Sequence, residues 1–171
     1  MHKFVITGHT SGIGKAIFDK FGGVGLSRAT LFDISKHDIK SYLKDCDVFV
    51  NNAYDNQHPW AQTKMLYQAK ETRQIVIGSN TTDQSKNKPH PYQSAKLALE
   101  NSCNQLFYLG YNITLIKLGY VDTPRVSKVT DKKMDATYVA NLIEWILQQP
   151  YKIKEISIPV SYTHLTLPTK A

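Results

Sequence analysis

The sequence has few of the features that mark secreted, membrane or metal-binding proteins. Its two cysteines, Cys46 and Cys103, are far apart, and its six histidines show no HxxxH or similar spacing, so no metal site is expected. No apolar run approaches the roughly 20 residues that a membrane-spanning helix needs. The segment MHKFVITG has no signal-peptide pattern. We therefore predict a cytoplasmic protein with two reduced thiols and no membrane partner.

Basic residues exceed acidic ones, 21 to 14, which gives a formal net charge of +7. The lysines are scattered, with short clusters only at residues 86–88 and 132–133, and aromatic residues do not alternate with them. Nucleic-acid sites concentrate basic side chains on one face or stripe. We interpret the excess as a solvated surface that also serves phosphate-bearing ligands, and expect no nucleic-acid partner; a basic nucleic-acid binder is the remote alternative.

The last residues do not continue the pattern of the rest. Residues 160–169, VSYTHLTLPT, resemble the translation of a transposase adapter used in DNA sequencing libraries. We therefore assign residues 1–159 to one domain and residues 160–171 to a non-native tail. The alternative is a genuine strand rich in threonine and leucine, and resequencing the source DNA past the codon for Pro159 distinguishes the two.

Short apolar segments alternate with amphipathic ones along residues 1–159. The patterns predict strands at 3–7, 24–27, 47–51, 74–78, 113–118 and 154–158, and helices at 13–21, 38–43, 60–70, 92–109 and 136–148, with Trp60 at a helix start and Trp145 on the apolar side of the last helix. This rhythm predicts a single α/β domain with a doubly wound, Rossmann-like parallel sheet and helices on both faces. The connection from residue 27 to residue 33 is too short for a parallel crossover, so we expect about six strands and no outer strand beyond the second.

A glycine-rich loop, TGHTSGIG, separates the first strand from the first helix. Gly8 allows a sharp turn out of the strand, Gly12 lets the backbone approach a pyrophosphate, and Gly14 lets the helix pack close to the sheet. The amino end of the helix offers free N–H groups to the anion. The loop predicts dinucleotide binding through Thr7, Gly8, Ser11, Gly12, Ile13 and Gly14.

The residues after the second strand, Ser27 and Arg28, bear on which dinucleotide is bound. An acidic residue there would hydrogen-bond the ribose 2′-hydroxyl of NAD(H) and repel a 2′-phosphate. A hydroxyl and a guanidinium suit a phosphate instead. We predict NADP(H) as the preferred cofactor and NAD(H) as the second candidate; the alternative is an exposed loop arginine without a ligand.

Tyr92 and Lys96 are four residues apart at the start of a predicted helix, so both side chains lie on one face. A tyrosine phenol has a pKa near 10, and a nearby ammonium or a positively charged nicotinamide ring lowers it. The spacing alone occurs by chance on many helices. Here it follows the glycine loop, the segment NNA at residues 51–53, and a strand that ends in Ser79.

In this order, the features resemble the short-chain dehydrogenase/reductase family over residues 4–158, and the glycine spacing TGxxxGxG resembles its smaller, soluble members. The resemblance implies that Ser79 hydrogen-bonds the substrate oxygen, that Tyr92 is the general acid/base, and that Lys96 tunes Tyr92 and holds the nicotinamide ribose. It also implies further cofactor contacts. Asn51, Asn52 and Ala53 would lie against the adenosine half of the cofactor and steady the central strand. Asp33 would contact the adenine amino group, and Gly119, Val121 and Thr123 would contact the nicotinamide carboxamide.

The chain departs from the family pattern at three points. The family's fourth catalytic residue is an asparagine on the helix before the serine strand, and between residues 55 and 78 only Asn56 is present, too close to the preceding strand. The proton relay is therefore rebuilt with water or with Gln62, or it is impaired. Tyr54 replaces a glycine after NNA, where it crowds the cofactor, and Leu118 replaces a proline before Gly119.

These observations together predict reversible hydride transfer between NADP(H) and a small carbonyl or alcohol substrate, with Tyr92 as the proton donor or acceptor. Two alternatives stay open: an NADP(H)-binding sensor or scaffold without turnover, and a sugar-nucleotide epimerase or dehydratase of the same family. The family resemblance implies a homodimer or homotetramer that pairs through the helix after the NNA segment and the Tyr92–Lys96 helix.

Overall fold

The computed structural model of the protein describes residues 2–160, which form one six-stranded parallel sheet with four α-helices. The strands are β1 (Phe4–Thr7), β2 (Val24–Leu26), β3 (Val48–Asn51), β4 (Arg73–Ser79), β5 (Ile113–Leu118) and β6 (Glu155–Ile158). The helices are α1 (Gly12–Phe21), α2 (Ala61–Gln68), α3 (Pro91–Tyr108) and α4 (Ala136–Gln148). The strand order is β2-β1-β3-β4-β5-β6, and every pair is parallel.

Helices cover both faces because successive strand residues point to opposite sides. Ile6 of β1 packs in one cluster with Ile17 of α1 and Ile143 of α4. Its neighbour Val5 packs in another cluster with Met65 of α2. Burial on both faces explains why β1, β3 and β5 are apolar along most of their length rather than alternating with polar residues.

The chain reverses its direction of winding at β1, which lies between β2 and β3. At such a point the loops that leave the two neighbouring strands diverge and open a crevice at their carboxyl ends. The fully buried Thr7 joins these ends, because its Oγ1 accepts hydrogen bonds from the backbone N–H groups of Asn52 and Ala53, each at 3.1 Å. The crevice therefore has a rigid floor.

The prediction of a six-stranded, doubly wound sheet without an outer strand beyond β2 is confirmed. Two details are wrong. The predicted helix at 38–43 is a single 3-10 turn, Lys40–Tyr42, because Ile39 is drawn fully into the core and Asp38 caps the Lys40 N–H at 2.7 Å. Trp145 is half-exposed, since Ile143 defines the buried side of α4 and a residue two positions further points away from it.

Other sequence features are placed as follows. Within residues 2–160, no helix combines the length and apolarity needed to cross a membrane, and no three His, Cys, Asp or Glu side chains of that part could hold a metal ion together. Cys46 and Cys103 are free thiols, and Trp60 immediately precedes α2. The predicted non-native tail lies outside the described residues apart from Val160.

Candidate active site

The glycine loop joins β1 to α1 at the crevice, and its glycines are needed for steric reasons. Gly12 has a φ of +55°, and a Cβ there would lie 2.9 Å from the Thr123 methyl carbon. A Cβ on Gly14 would lie 2.1 Å from the Gly8 carbonyl oxygen, well inside contact distance. Glycine at position 14 therefore allows α1 to begin directly against the loop, which leaves its first N–H groups facing the crevice.

Two cavities lie along the carboxyl ends of the strands. The inner cavity, of about 480 Å³, is lined by the predicted residues Ile13, Asn52, Ser79, Tyr92, Lys96, Gly119, Val121 and Thr123, among others. The outer cavity, of about 410 Å³, is lined by Gly8, Ser27, Arg28 and Ala53, among others. The two share three lining residues, Tyr54, Asn56 and Arg125. They are thus neighbouring compartments of one cleft.

The remaining predicted residues support the cleft without lining either cavity. Thr7 and Asn51 are completely buried at the ends of β1 and β3, and Gly14 lies under the glycine loop. Ser11 is the residue that precedes α1, and Gly12 lies beneath Thr123. The Asp33 carboxylate accepts a hydrogen bond from Ser35 with one oxygen and lies near Arg28 with the other, without lining the cavity. Twelve of the predicted residues therefore line the cleft, and these six lie behind or beside the lining residues.

Ser79 and Tyr92 meet in the inner cavity, from the end of β4 and the start of α3. Burial raises the pKa of Tyr92 above its ordinary value of 10, while hydrogen bonding with the Ser79 side chain and the charge of Arg125 act in the opposite direction. The Tyr54 ring stands edge-on to the Tyr92 ring, with 5.0 Å between centroids. The Tyr92 phenol is therefore protonated at neutral pH and flanked by a second aromatic ring.

Lys96 extends from α3 into the protein interior, where only 4% of the residue is exposed. Its Nζ donates hydrogen bonds to Gln62 Oε1 at 2.7 Å and to the Ile77 carbonyl at 3.2 Å. Nζ also lies 5.6 Å from the centroid of the Tyr92 ring. Burial lowers the pKa of Lys96 to about 7, with a further decrease from the charge of Arg125. Both acceptors are uncharged, so no described residue in direct contact neutralises the ammonium.

Gln62, on α2, is buried and fixes the position of the Lys96 ammonium. Its Nε2 donates to the carbonyl oxygens of Asn51 at 2.9 Å and Ile77 at 3.0 Å. Because carbonyls only accept, the amide nitrogen must face the two strands and the amide oxygen must face the ammonium. Water and Gln62 were the two alternatives to the missing asparagine, and Gln62 is the one whose side chain contacts Lys96 in the structure.

The outer cavity contains a second cation in a different environment. Arg28 Nη2 lies 2.7 Å from Asp55 Oδ2, and Arg28 Nε lies 3.5 Å from Asp33 Oδ2. Hydrogen bonds from the Ser35 hydroxyl and N–H lower the pKa of Asp33 to about 2. A hydrogen bond from the Gln57 N–H and one with His58 lower the pKa of Asp55. Arg28 therefore faces two ionised carboxylates.

Several residues of the cleft were not predicted from the sequence, and Asp55 and Arg125 are two charged ones among them. Asp55 follows the NNA segment and pairs with Arg28. Arg125 follows Thr123 and lines both cavities. Both come after the carboxyl end of a strand, β3 or β5, where side chains of a parallel sheet gather. That position was the available signal.

The fold matches solved structures of short-chain dehydrogenases. A small-chain dehydrogenase in complex with NADPH has a TM-score of 0.74 at 15% identity, covering 92% of this chain and 96% of that chain. The closed form of a serine dehydrogenase complexed with NADP⁺ has a TM-score of 0.70 at 17% identity, covering 98% and 99%. A short-chain dehydrogenase from Streptomyces avermitilis has a TM-score of 0.68 at 17% identity, covering 93% and 88%.

No protein-family model matches the chain, and no curated protein matches it in sequence. The structural likeness extends over nearly the whole described chain, and at these identities it defines the fold. The protein thus has the Rossmann-like fold of the short-chain dehydrogenases. What it does must be argued from its own residues.

Proposed function

We propose that the protein is an NADP(H)-dependent oxidoreductase that transfers hydride reversibly between the cofactor and a small carbonyl or alcohol substrate. The observation that carries this proposal is the convergence of Ser79, Tyr92 and Lys96 on one cavity beside the glycine loop. The dinucleotide-bound dehydrogenases of the same fold add support.

The residues present fit a dinucleotide. The backbone cradle around Gly14, which a single Cβ would fill, suits a pyrophosphate at the start of α1. In this proposal the outer cavity holds the adenosine half, and the inner cavity holds the nicotinamide half and the substrate. When bound, the cofactor supplies or accepts the hydride. The protein's own residues orient the substrate and move the proton.

Proton transfer is assigned to Tyr92 Oη. In the reductive direction the phenol donates its proton to the substrate oxygen, which Ser79 Oγ holds by a hydrogen bond. The raised pKa of Tyr92 keeps the phenol protonated at neutral pH, which suits reduction more than oxidation. The Lys96 ammonium stabilises the resulting phenolate across the aromatic pocket.

Gln62 takes the role of a positioning residue in this scheme. An ammonium with uncharged partners in the interior would move toward solvent unless its acceptors were fixed. The Gln62 side chain is fixed by its two hydrogen bonds to β3 and β4. A third hydrogen bond, from Asn51 Nδ2 to the backbone carbonyl of Gln62 at 3.0 Å, holds its main chain. The protein therefore holds Lys96 next to Tyr92 without the asparagine of the family pattern.

The preference for NADP(H) over NAD(H) rests on Arg28 and Ser27, which line the outer cavity. Arg28 is 69% exposed on its side chain, so a ligand phosphate can reach it. The two carboxylates beside it compete for the same guanidinium, and they limit how strong the preference can be. A cytoplasmic homodimer or homotetramer that pairs through α2 and α3 completes the proposal.

One observation favours the second candidate, a protein that binds the dinucleotide without turnover. The Tyr54 ring stands against Tyr92, and Lys96 Nζ lies 5.1 Å from the Tyr54 ring centroid. An aromatic ring in this place competes with the nicotinamide ribose for space. Binding of NADPH without consumption across a panel of carbonyl compounds would support this candidate.

The proposal is tested by measuring NADPH oxidation over a panel of aldehydes and ketones, repeated with NADH. Tyr92→Phe removes only the proton donor, and we expect kcat to fall by about 10²- to 10⁴-fold with NADPH binding unchanged. Tyr108→Phe, at the exposed far end of α3, is the matched control. Turnover retained in Tyr92→Phe rejects the assignment of the proton, and equal rates with NADH reject the cofactor preference.

A further inference from the structure

Arg125 occupies the junction between the two cavities. Its side chain lines both of them, and its Nη2 donates to the Tyr54 carbonyl at 3.3 Å, from the β5 side of the cleft to the β3 side. A ligand that filled both cavities would have to pass this point. If the proposed function is correct, the part of the ligand between the adenosine and nicotinamide halves is a pyrophosphate.

Within the described residues, the charge of Arg125 is not neutralised by an ion pair. Among residues 2–160 no carboxylate lies within ion-pair distance of its guanidinium, whereas Arg28 faces both Asp33 and Asp55. The residue is exposed, and the one hydrogen bond that its side chain donates within the described part of the chain is long and goes to a neutral carbonyl. A guanidinium has five N–H donors in a planar fork that matches phosphate oxygens. Arg125 therefore has most of its donors available to a ligand.

The segment that carries Arg125 is held next to the glycine loop. The 3-10 turn Pro124–Val126 follows Thr123, and the Thr123 methyl carbon lies 2.9 Å from where a Cβ on Gly12 would be. The loop that would bind a pyrophosphate through its backbone and the arginine that could bind it through its side chain are thus adjacent. This contact fixes the distance between them more firmly than two independent loops could.

We propose that Arg125 binds the pyrophosphate of the dinucleotide and closes the cleft over it. This inference rests on the proposed function, because it requires a dinucleotide that spans both cavities. On binding, the guanidinium exchanges the Tyr54 carbonyl for phosphate oxygens, which form stronger, charge-assisted hydrogen bonds. Arg125, whose hydrogen bond to Tyr54 now lies between the two cavities, then becomes part of the cofactor site.

The same anion chemistry could come from the substrate. Lys86 and His90 also line the inner cavity, so a carboxylate or phosphate on the substrate would find the Lys86 ammonium and an imidazole there as well. Arg125 differs from these two residues because it also lines the outer cavity, which the substrate does not reach in the proposed arrangement. The cofactor pyrophosphate is therefore the better match.

The experiment measures binding of NADPH and of ADP-ribose, which carries the pyrophosphate but no nicotinamide, by calorimetry. We expect Arg125→Gln to weaken both by about 10- to 100-fold and Arg125→Lys to weaken them less, because lysine keeps the charge but loses the fork. Lys128→Gln, which removes an exposed positive charge from the same segment, is the control and should bind both as the wild type does. Thermal unfolding midpoints of the variants close to that of the wild type verify their folding.

Normal binding of ADP-ribose by Arg125→Gln overturns the inference, and a KM increase confined to an acidic carbonyl substrate assigns the arginine to the substrate instead. An equal loss in Lys128→Gln also overturns it, because general charge attraction would then explain the effect. If the wild type binds neither NADPH nor ADP-ribose, the proposed function fails together with the inference. Normal NADPH binding and turnover by Arg125→Gln leave the proposed function standing.

Discussion

The two ends of the cleft each contain a basic side chain, but the two side chains differ in burial and in the charge of their neighbours. In the inner cavity Lys96 is 4% exposed and its hydrogen-bond acceptors are neutral, so burial lowers its pKa to about 7. In the outer cavity Arg28 is 69% exposed on its side chain and faces two carboxylates. The inner charge is sensitive to any change in its surroundings, whereas the outer one is neutralised and screened. In the proposed function, the buried end therefore carries the chemistry and the exposed end recognises the cofactor.

Among the changes that test this comparison, the largest effect is expected from breaking the inner arrangement at Gln62. Gln62→Leu leaves Lys96 with the Ile77 carbonyl as its remaining acceptor, and we expect kcat to fall by about 10- to 100-fold because Lys96 no longer stays beside Tyr92. Gln62→Glu places a carboxylate against the ammonium, which raises the pKa of Lys96 and should move the pH–kcat profile to higher pH. The variants are compared by steady-state kinetics across pH. An unchanged kcat and pH profile in both would show that Gln62 does not act through Lys96.

A smaller effect is expected on stability, and its sign follows from the lowered pKa of Lys96. Between about pH 7 and pH 10.5 the unfolded chain binds this proton and the folded chain does not, so the free energy of unfolding rises with pH. The slope is at most about 1.4 kcal/mol per pH unit, and below about pH 7 the full cost of the buried charge is present. Lys96→Met should remove this slope.

Denaturant unfolding between about pH 7 and pH 8.5, below the range of ordinary thiol titration, measures it. Lys64→Met is the control, because Lys64 is an exposed lysine of α2. It should keep the slope of the wild type. Identical slopes in the wild type and Lys96→Met would contradict a lowered pKa for Lys96.

The smallest effect is expected at the exposed end. Asp55→Asn removes the carboxylate nearest to Arg28 and should increase the ratio of NADPH affinity to NADH affinity several-fold, because the freed guanidinium is available to a 2′-phosphate. The gain should shrink as ionic strength rises, since the site is open to solvent. Titrations of both cofactors at low and high salt measure it. A gain that is equal for NADH and NADPH would mean that Arg28 does not face the 2′-position.

Local patterns predicted much of this molecule because their physical cause is local. The bounds of β5 and α4 are as predicted, since an unbroken apolar run and a clear amphipathic repeat leave little choice. The helical spacing that joins Tyr92 to Lys96 is equally local. The helix predicted at 38–43 was wrong because the burial of Ile39 against other elements, and not the neighbouring residues in the sequence, decides the conformation of this segment.

The contacts that tune the site could not be predicted in the same way. Gln62 and Lys96 are 34 residues apart, and Arg125 and Tyr54 are 71 apart, so each contact depends on how whole elements are placed. The sequence indicates that a glutamine lies on the helix after the third strand and that an arginine follows the fifth strand. It does not indicate which way the Gln62 amide is turned, nor that Arg28 meets Asp55 while Arg125 meets no acidic side chain of residues 2–160.

The missing outer strand has a consequence for how the protein meets other chains. It leaves β2 at the border of the sheet, where unpaired backbone groups could accept a strand from another molecule. The border is short, three residues, and the Thr30 hydroxyl, shared between the carbonyls of Gly25 and Ser27, occupies acceptors on it at 3.2 and 3.0 Å. The Thr30 side chain thus occupies backbone acceptors that a neighbouring strand would otherwise use. This occupation disfavours aggregation through strand pairing at this edge.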